Sequence, residues 1–117
     1  MDERPGSPPR SRVVLVTAPD RDVALDLARA LVQERLVACV NVVPGVTSVY
    51  RWEGAVEESA EVLMVAKTTT ERLAELERRV VELHPYDVPE FLALAPEHVE
   101  SRYARWLSEE SSQAPPA

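Results

Sequence analysis

The sequence contains a single cysteine, Cys39, and only three glycines in 117 residues. One cysteine cannot form an internal disulfide, and it excludes the Cys-x-x-Cys pair that soft-metal chaperones and redox domains use. Three glycines leave no Gly-rich loop for a phosphate group. Because Val37, Ala38 and Val40 around it are apolar, we expect Cys39 to be a buried side chain and not a reactive thiol.

Hydrophobic runs long enough to cross a membrane are also absent, and no apolar segment of the length that a targeting peptide requires follows the arginines near the amino end. We therefore expect a cytoplasmic protein with no membrane partner. The formal net charge is −7, from 20 acidic and 13 basic side chains. Because an acidic surface repels phosphate backbones, we expect no nucleic-acid partner.

Patterns of enzymatic chemistry are missing as well. No serine or cysteine stands in a nucleophile-elbow pattern. The neighbouring carboxylates Glu57-Glu58 and Glu109-Glu110 point apart or lie close to the chain end, whereas an acid/base pair has to converge. We expect no catalytic residues and a protein that is not an enzyme.

Polar, proline-containing segments flank the part of the chain that can fold. Residues 1–12 and 108–117 have too few apolar side chains to offset the entropy of ordering, so we predict both as disordered tails. Residues 13–107 carry enough apolar side chains for one domain with one core.

Apolar periodicity between the tails predicts the order β-α-β-β-α-β followed by a short helix. Asp20 is placed to cap the first helix, and Thr68 and Glu71 have the spacing of a capping box before the second. This order predicts an α+β fold, a ferredoxin-like βαββαβ sandwich with an extra C-terminal helix. The strands are apolar on both faces, so self-association is the simplest cover for the face away from the helices.

The Pro44-Gly45 dipeptide divides two apolar segments, 37–43 and 46–52. It suits a turn, because proline presets φ and glycine accepts positive φ. It suits equally a kink or bulge inside one long strand. The local pattern leaves both interpretations open.

Several segments, in order along the chain, resemble signatures of the CutA family. They are 38–54 (ACVNVVPGVTSVYRWEG), 61–68 (EVLMVAKT), 84–90 (HPYDVPE) and the closing Tyr103-x-x-Trp106-Leu107. The resemblance implies a PII-like homotrimer that is not an enzyme and that serves divalent-cation tolerance. It also implies that Pro44-Gly45 is a kink within a long hairpin arm.

One candidate metal site lies in the proline-stiffened loop that holds His84, Asp87 and Glu90. An imidazole with two carboxylates suits a borderline divalent ion such as zinc or copper(II). The alternative is structural: His84 caps the second helix, Asp87 forms an Asx turn and Glu90 pairs with a cation such as Lys67.

The resemblance also implies a copper site, and its matching positions here are Val16, Leu83 and His84. Valine and leucine cannot bind metal. We therefore predict His84 as the single metal ligand, for Cu²⁺ or another divalent cation bound weakly.

The resemblance further implies a cleft between subunits. Its candidate ligand-binding residues are Trp52, Glu61, Lys67, Tyr86, Asp87 and Glu90. Such a cleft suits a PII-like module that senses a small molecule or engages a protein partner. The alternative is that the aromatic side chains pack in the interface and Lys67 forms a salt bridge.

Overall fold

Residues 10–113 are described by a computed structural model. The strands are β1 (Ser11–Ala18), β2 (Cys39–Trp52), β3 (Ala55–Thr69) and β4 (Leu92–Leu94), and the helices are α1 (Arg21–Gln33), α2 (Leu73–Leu83) and α3 (Ser101–Glu110). This order confirms the predicted β-α-β-β-α-β arrangement with a terminal helix. Within residues 10–113, no helix has the length and apolar content to cross a membrane.

The four strands form one sheet in the order β2-β3-β1-β4, and each neighbouring pair is antiparallel. Helices α1 and α2 cover one face of the sheet, as in the predicted ferredoxin-like sandwich. Asp20 accepts a hydrogen bond from the Val23 amide at 2.9 Å and caps α1 as expected. Residues at the centre of the core are fully buried; they include Val14, Val16, Leu31, Met64, Leu76 and Val80.

The predicted capping box from Thr68 to Glu71 does not form. Thr68 stays in β3, where its buried hydroxyl donates a hydrogen bond to the Leu36 carbonyl at 2.7 Å. Glu71 pairs instead with Arg10 at 2.7 Å. Because a tertiary partner takes the Thr68 hydroxyl, α2 begins only after a 3-10 turn over Thr70–Arg72.

The folded part extends beyond both predicted boundaries. Strand β1 already begins at Ser11, and α3 continues past residue 107 to a Ser111 that is only 1% exposed. The Arg35 guanidinium donates to the carbonyls of Ser112 and Glu109 at 2.8 and 2.7 Å, and so satisfies free carbonyls at the end of α3. The predicted tail from residue 108 is therefore wrong up to this point; residues 1–9 and 114–117 lie outside the described residues.

Pro44-Gly45 forms a bulge inside one continuous strand. Between Val43 and Val46 the pairing advances three residues along β2 but only two along β3. Gly45 has φ +81°, a conformation that glycine adopts without strain. The kink is confirmed, and the alternative of a hairpin turn at this position is wrong.

The hairpin turn lies instead at Glu53-Gly54. Both residues have positive φ, 49° and 83°, which is the requirement of the type I′ turn that joins strands through two residues. Trp52 pairs with Ala55 across it. Beyond the bulge, the two strands form an arm that extends past the helices.

Helix α3 covers part of the opposite sheet face. On that face the Tyr103 hydroxyl lies 4.0 Å from the sulfur of Cys39. Cys39 was expected to be buried, but its side chain is partly exposed. Other apolar side chains there remain open, with Leu92 54% and Leu94 50% exposed. The strands are thus apolar on both faces, as the sequence predicts.

Candidate functional site

A groove of about 790 Å³ lies between the β2–β3 arm and the segment that joins α2 to β4. Five of the six predicted cleft residues line it: Trp52, Glu61, Tyr86, Asp87 and Glu90. Two of these come from the arm and three from the joining segment. All of these lining residues belong to one chain; the position of the cleft between subunits and the ligand-binding role of these residues stay predictions.

The bulge is what brings the arm residues together. Side chains alternate between the two faces of a strand, so one extra residue in β2 reverses the face of every later side chain. Because Val46 pairs with Glu61 after the bulge, Tyr50 and Trp52 face the same side as Glu61. In an unbroken register both rings would face away from it.

Lys67 does not join the groove. It lies six residues beyond Glu61 on β3, a distance of about 20 Å along an extended strand. Its ammonium group donates to the Asn41 side-chain oxygen and lies 3.5 Å from the Cys39 sulfur. Among the described residues it forms no ion pair with Glu90, so the expected pairing of Glu90 with Lys67 is wrong in this chain.

His84 is 7% exposed and ends α2, where its amide donates to the Val80 carbonyl at 2.9 Å. Its Nε2 lies 2.8 Å from the Thr17 carbonyl, and its Nδ1 accepts from the Tyr86 amide at 3.1 Å. A carbonyl only accepts and an amide only donates, so the neutral ring with hydrogen on Nε2 satisfies both contacts. This geometry matches the structural alternative of a histidine at the helix end.

The described residues do not fit a tight metal site. Both ring nitrogens of His84 are already engaged, and Val16 lies in the core, 3% exposed. Across residues 10–113, no three His, Cys, Asp or Glu side chains come together to hold an ion. A metal at His84 would have to replace one of its two hydrogen bonds, so its role as a metal ligand stays a prediction.

The carboxylates of Glu61 and Glu90 and the phenol of Tyr86 interact in the polar part of the groove. The Tyr86 hydroxyl donates to Glu61 Oε2 at 2.7 Å, and Glu61 is only 9% exposed. Burial, followed by the hydrogen bond to Glu61, raises the pKa of the Tyr86 phenol. Burial and the nearby charge of Glu61 raise the pKa of the Glu90 carboxyl. The Glu90 carboxyl therefore ionises less readily than an exposed carboxyl.

The charge of the groove has one sign. Its lining includes the three carboxylates Glu61, Asp87 and Glu90, and none of the described lining residues is a lysine, arginine or histidine. Such a surface attracts cations and repels anions.

Two lining residues were missed as site candidates. The Tyr50 hydroxyl and Ser59 Oγ lie 3.1 Å apart across the arm, and both line the groove. Alternation placed Tyr50 on the face of Trp52. A two-residue turn at Glu53-Gly54 sets the register that places Ser59 on this same face, paired with Ser48. That turn is the sequence signal that could have identified Ser59.

A family model described as CutA1 divalent ion tolerance protein matches residues 12–110 of this chain. The match covers well over half of the chain and includes all four strands but the first residue of β1. The chain belongs to the CutA family.

Curated CutA relatives come from bacteria, plants and animals. The divalent-cation tolerance protein CutA of Thermus thermophilus is 53% identical over 97 residues, which cover 83% of this chain and 94% of that protein. Human protein CutA is 45% identical over 92 residues, which cover 79% of this chain and 51% of that protein. The chain therefore spans about half the length of this animal relative.

Solved CutA structures confirm the predicted fold. The divalent cation tolerance protein from Thermus thermophilus superposes with a TM-score of 0.85 at 50% identity, covering 87% of this chain and 99% of that chain. CutA1 from Oryza sativa superposes with a TM-score of 0.85 at 41% identity, covering 89% and 95%. Family and fold agree with the sequence resemblance.

Proposed function

We propose that this CutA chain acts in the tolerance of divalent cations as a non-enzymatic homotrimer in the cytoplasm. The observation that carries the proposal is the family match over residues 12–110. In cells, loss of the gene is expected to lower the copper(II) concentration that stops growth. Unchanged growth over the whole copper range would contradict the tolerance role.

Exposed apolar side chains support the homotrimer. On the sheet face away from α1 and α2 they include Val43, Leu92 and Leu94, and on the arm Val49 and Val56 are 63% and 66% exposed. Apolar surface of this extent favours burial against another copy. Light scattering should give three times the monomer mass, and a monomer at micromolar concentration would contradict the proposal.

Copper(II) binding, in this proposal, is weak and centres on His84. The chain has two histidines, so His84→Ala and the matched variant His98→Ala each keep one imidazole. His98 is exposed, just before α3. Calorimetry should show binding by wild type and His98→Ala, and loss of binding in His84→Ala.

Equal heats from the two variants would rule out a site at His84. Circular dichroism of His84→Ala checks that losing the contact to Thr17 has not unfolded the chain. If it has, His84→Gln replaces it, because an amide can keep one of the hydrogen bonds of the imidazole.

The groove supports a second candidate function, a PII-like role in sensing a small molecule. Its volume of about 790 Å³ lies within the range of ligand sites, and aromatic and carboxylate side chains line it together. A thermal-shift screen with small metabolites tests this function, with Trp52→Ala as the variant that alters the groove. The role predicts a ligand that stabilises wild type and not Trp52→Ala, and no stabilisation by any compound would contradict it.

A further inference from the structure

We propose that the groove binds a small organic cation, an ammonium compound held between the carboxylates of Glu61 and Glu90 and the rings of Tyr50, Trp52 and Tyr86. The inference rests on the second candidate function, the binding of a small molecule in this groove. It adds the charge and the chemical class of that molecule.

The charge of the lining decides the sign of the ligand. Three carboxylates line the groove, and its described lining contains no basic side chain. Lys67, the basic residue predicted for the cleft, is engaged with Asn41 far along β3. An anionic ligand would meet only like charge here, whereas a cation relieves the repulsion between the carboxylates.

Glu61 and Glu90 lie where such a cation is needed. Tyr86 satisfies one oxygen of Glu61, at 2.7 Å. Burial raises the pKa of Glu90 most, and the charge of Glu61 raises it further. The two carboxylates therefore repel each other, and an ammonium group placed between them would reduce this repulsion by donating hydrogen bonds to both.

The rings distinguish an organic cation from a metal ion. Three aromatic side chains line the groove, Tyr50, Trp52 and Tyr86, and aromatic faces attract ammonium groups by cation–π interaction. Trp52 and Tyr50 are 47% and 42% exposed in the single chain, so a ligand can reach their ring surfaces there. A volume of about 790 Å³ greatly exceeds that of a single ion. No third carboxylate or imidazole joins the pair to complete a metal site among residues 10–113.

Fluorescence of Trp52 provides a direct test. The chain has two tryptophans, so Trp106→Phe leaves Trp52 as the only one. The Trp106 ring lies 5.5 Å from that of Tyr103, and phenylalanine keeps an aromatic ring at this position. In this background the full chain is titrated with tetramethylammonium and with butylammonium. Tert-butanol and butanol serve as uncharged analogues, and potassium chloride keeps the ionic strength constant.

The expected result is a saturable change with an ammonium probe at about 1 mM or below, and none with either alcohol. A stronger response to butylammonium would indicate N–H donation to the carboxylates, and a stronger response to tetramethylammonium would indicate contact with the rings. Glu90→Gln and Glu61→Gln should each weaken binding by about tenfold or more, because each removes one charged acceptor. Glu77→Gln, on the exposed side of α2, carries the same charge change and should bind as wild type does.

Three results would overturn the inference: no saturation by either ammonium probe, equal binding of the alcohols, or unchanged affinity in Glu90→Gln. If Glu61→Gln does not fold, Glu90→Gln alone decides. An anionic metabolite that stabilises wild type but not Trp52→Ala would refute the cation while leaving small-molecule binding in place. The two proposals can therefore fail separately.

Discussion

Replacing Tyr86 by phenylalanine removes one hydroxyl from the polar part of the groove. That hydroxyl donates to Glu61 at 2.7 Å, and Glu61 is 9% exposed, so water cannot readily replace the lost donor. A hydrogen bond to a charged group contributes about 1.5–3 kcal/mol, and we expect Tyr86→Phe to lower the free energy of unfolding by this amount. The ring contact with His84, 4.6 Å between centroids, does not involve the hydroxyl, so we expect the variant to keep it.

Tyr103→Phe is the matched control. Its hydroxyl lies 4.0 Å from the Cys39 sulfur, a weak contact, and its loss should cost less than about 0.5 kcal/mol. Denaturant unfolding of both variants at one protein concentration gives the two values, because the stability of an oligomer depends on concentration. Equal losses in the two variants would show that the Glu61 hydrogen bond contributes no more than an ordinary tyrosine hydroxyl.

A double-mutant cycle with Glu61→Gln separates the hydrogen bond from other effects of the substitution. Glutamine still accepts from Tyr86, but without charge, and the bond falls to about 0.5–1.5 kcal/mol. Tyr86→Phe should therefore cost less in the Glu61→Gln background than in wild type. Additive losses would refute a direct coupling between the two side chains.

Three further predictions concern the bulge and the carboxylates. Gly45→Ala should lower stability by about 1–2 kcal/mol, because φ is +81° although no atom lies within 4 Å of the new methyl group; thermal unfolding measures it. A bidentate bond from Arg79, 2.8 Å to each oxygen, lowers the pKa of Glu34. The stabilisation by ionised Glu34 is therefore present above its pKa in the unfolded chain and is lost as pH falls through its pKa in the folded chain. Glu34→Gln should reduce the dependence of the free energy of unfolding on pH in the acid range. The pKa of Glu90 is raised, so its contribution is lost as pH rises. Glu90→Gln should therefore be more stable than wild type at neutral pH and not at acid pH; equal stability at both would contradict this.

Much of the fold could be predicted from local sequence. The cap at Asp20 and the turn at Glu53-Gly54 both depend on side-chain and backbone chemistry within a few residues, and the cap appears as expected. Periodicity predicts the order of helices and strands because burial of one apolar face favours one period. The face away from the helices was predicted to be apolar for the same reason.

The site could be predicted only in part. Five cleft residues lie in one groove, but the resemblance and not the local pattern had grouped them. Lys67 lies far from them along β3, and the order of motifs in the sequence does not reveal this distance. Thr68 had the spacing of a cap, yet the carbonyl of Leu36, distant in sequence, takes its hydroxyl.

The sequence by itself determined which segments become strands and helices, since propensity, caps and apolar period act over a few residues. Only the tertiary structure decided which side chains share a surface. The Pro44-Gly45 dipeptide is compatible with a turn or a bulge, and a bulge forms because β2 pairs with β3 on both sides of it. That single extra residue turns Tyr50 and Trp52 toward Glu61, because side chains alternate along a strand and register is a property of two strands together.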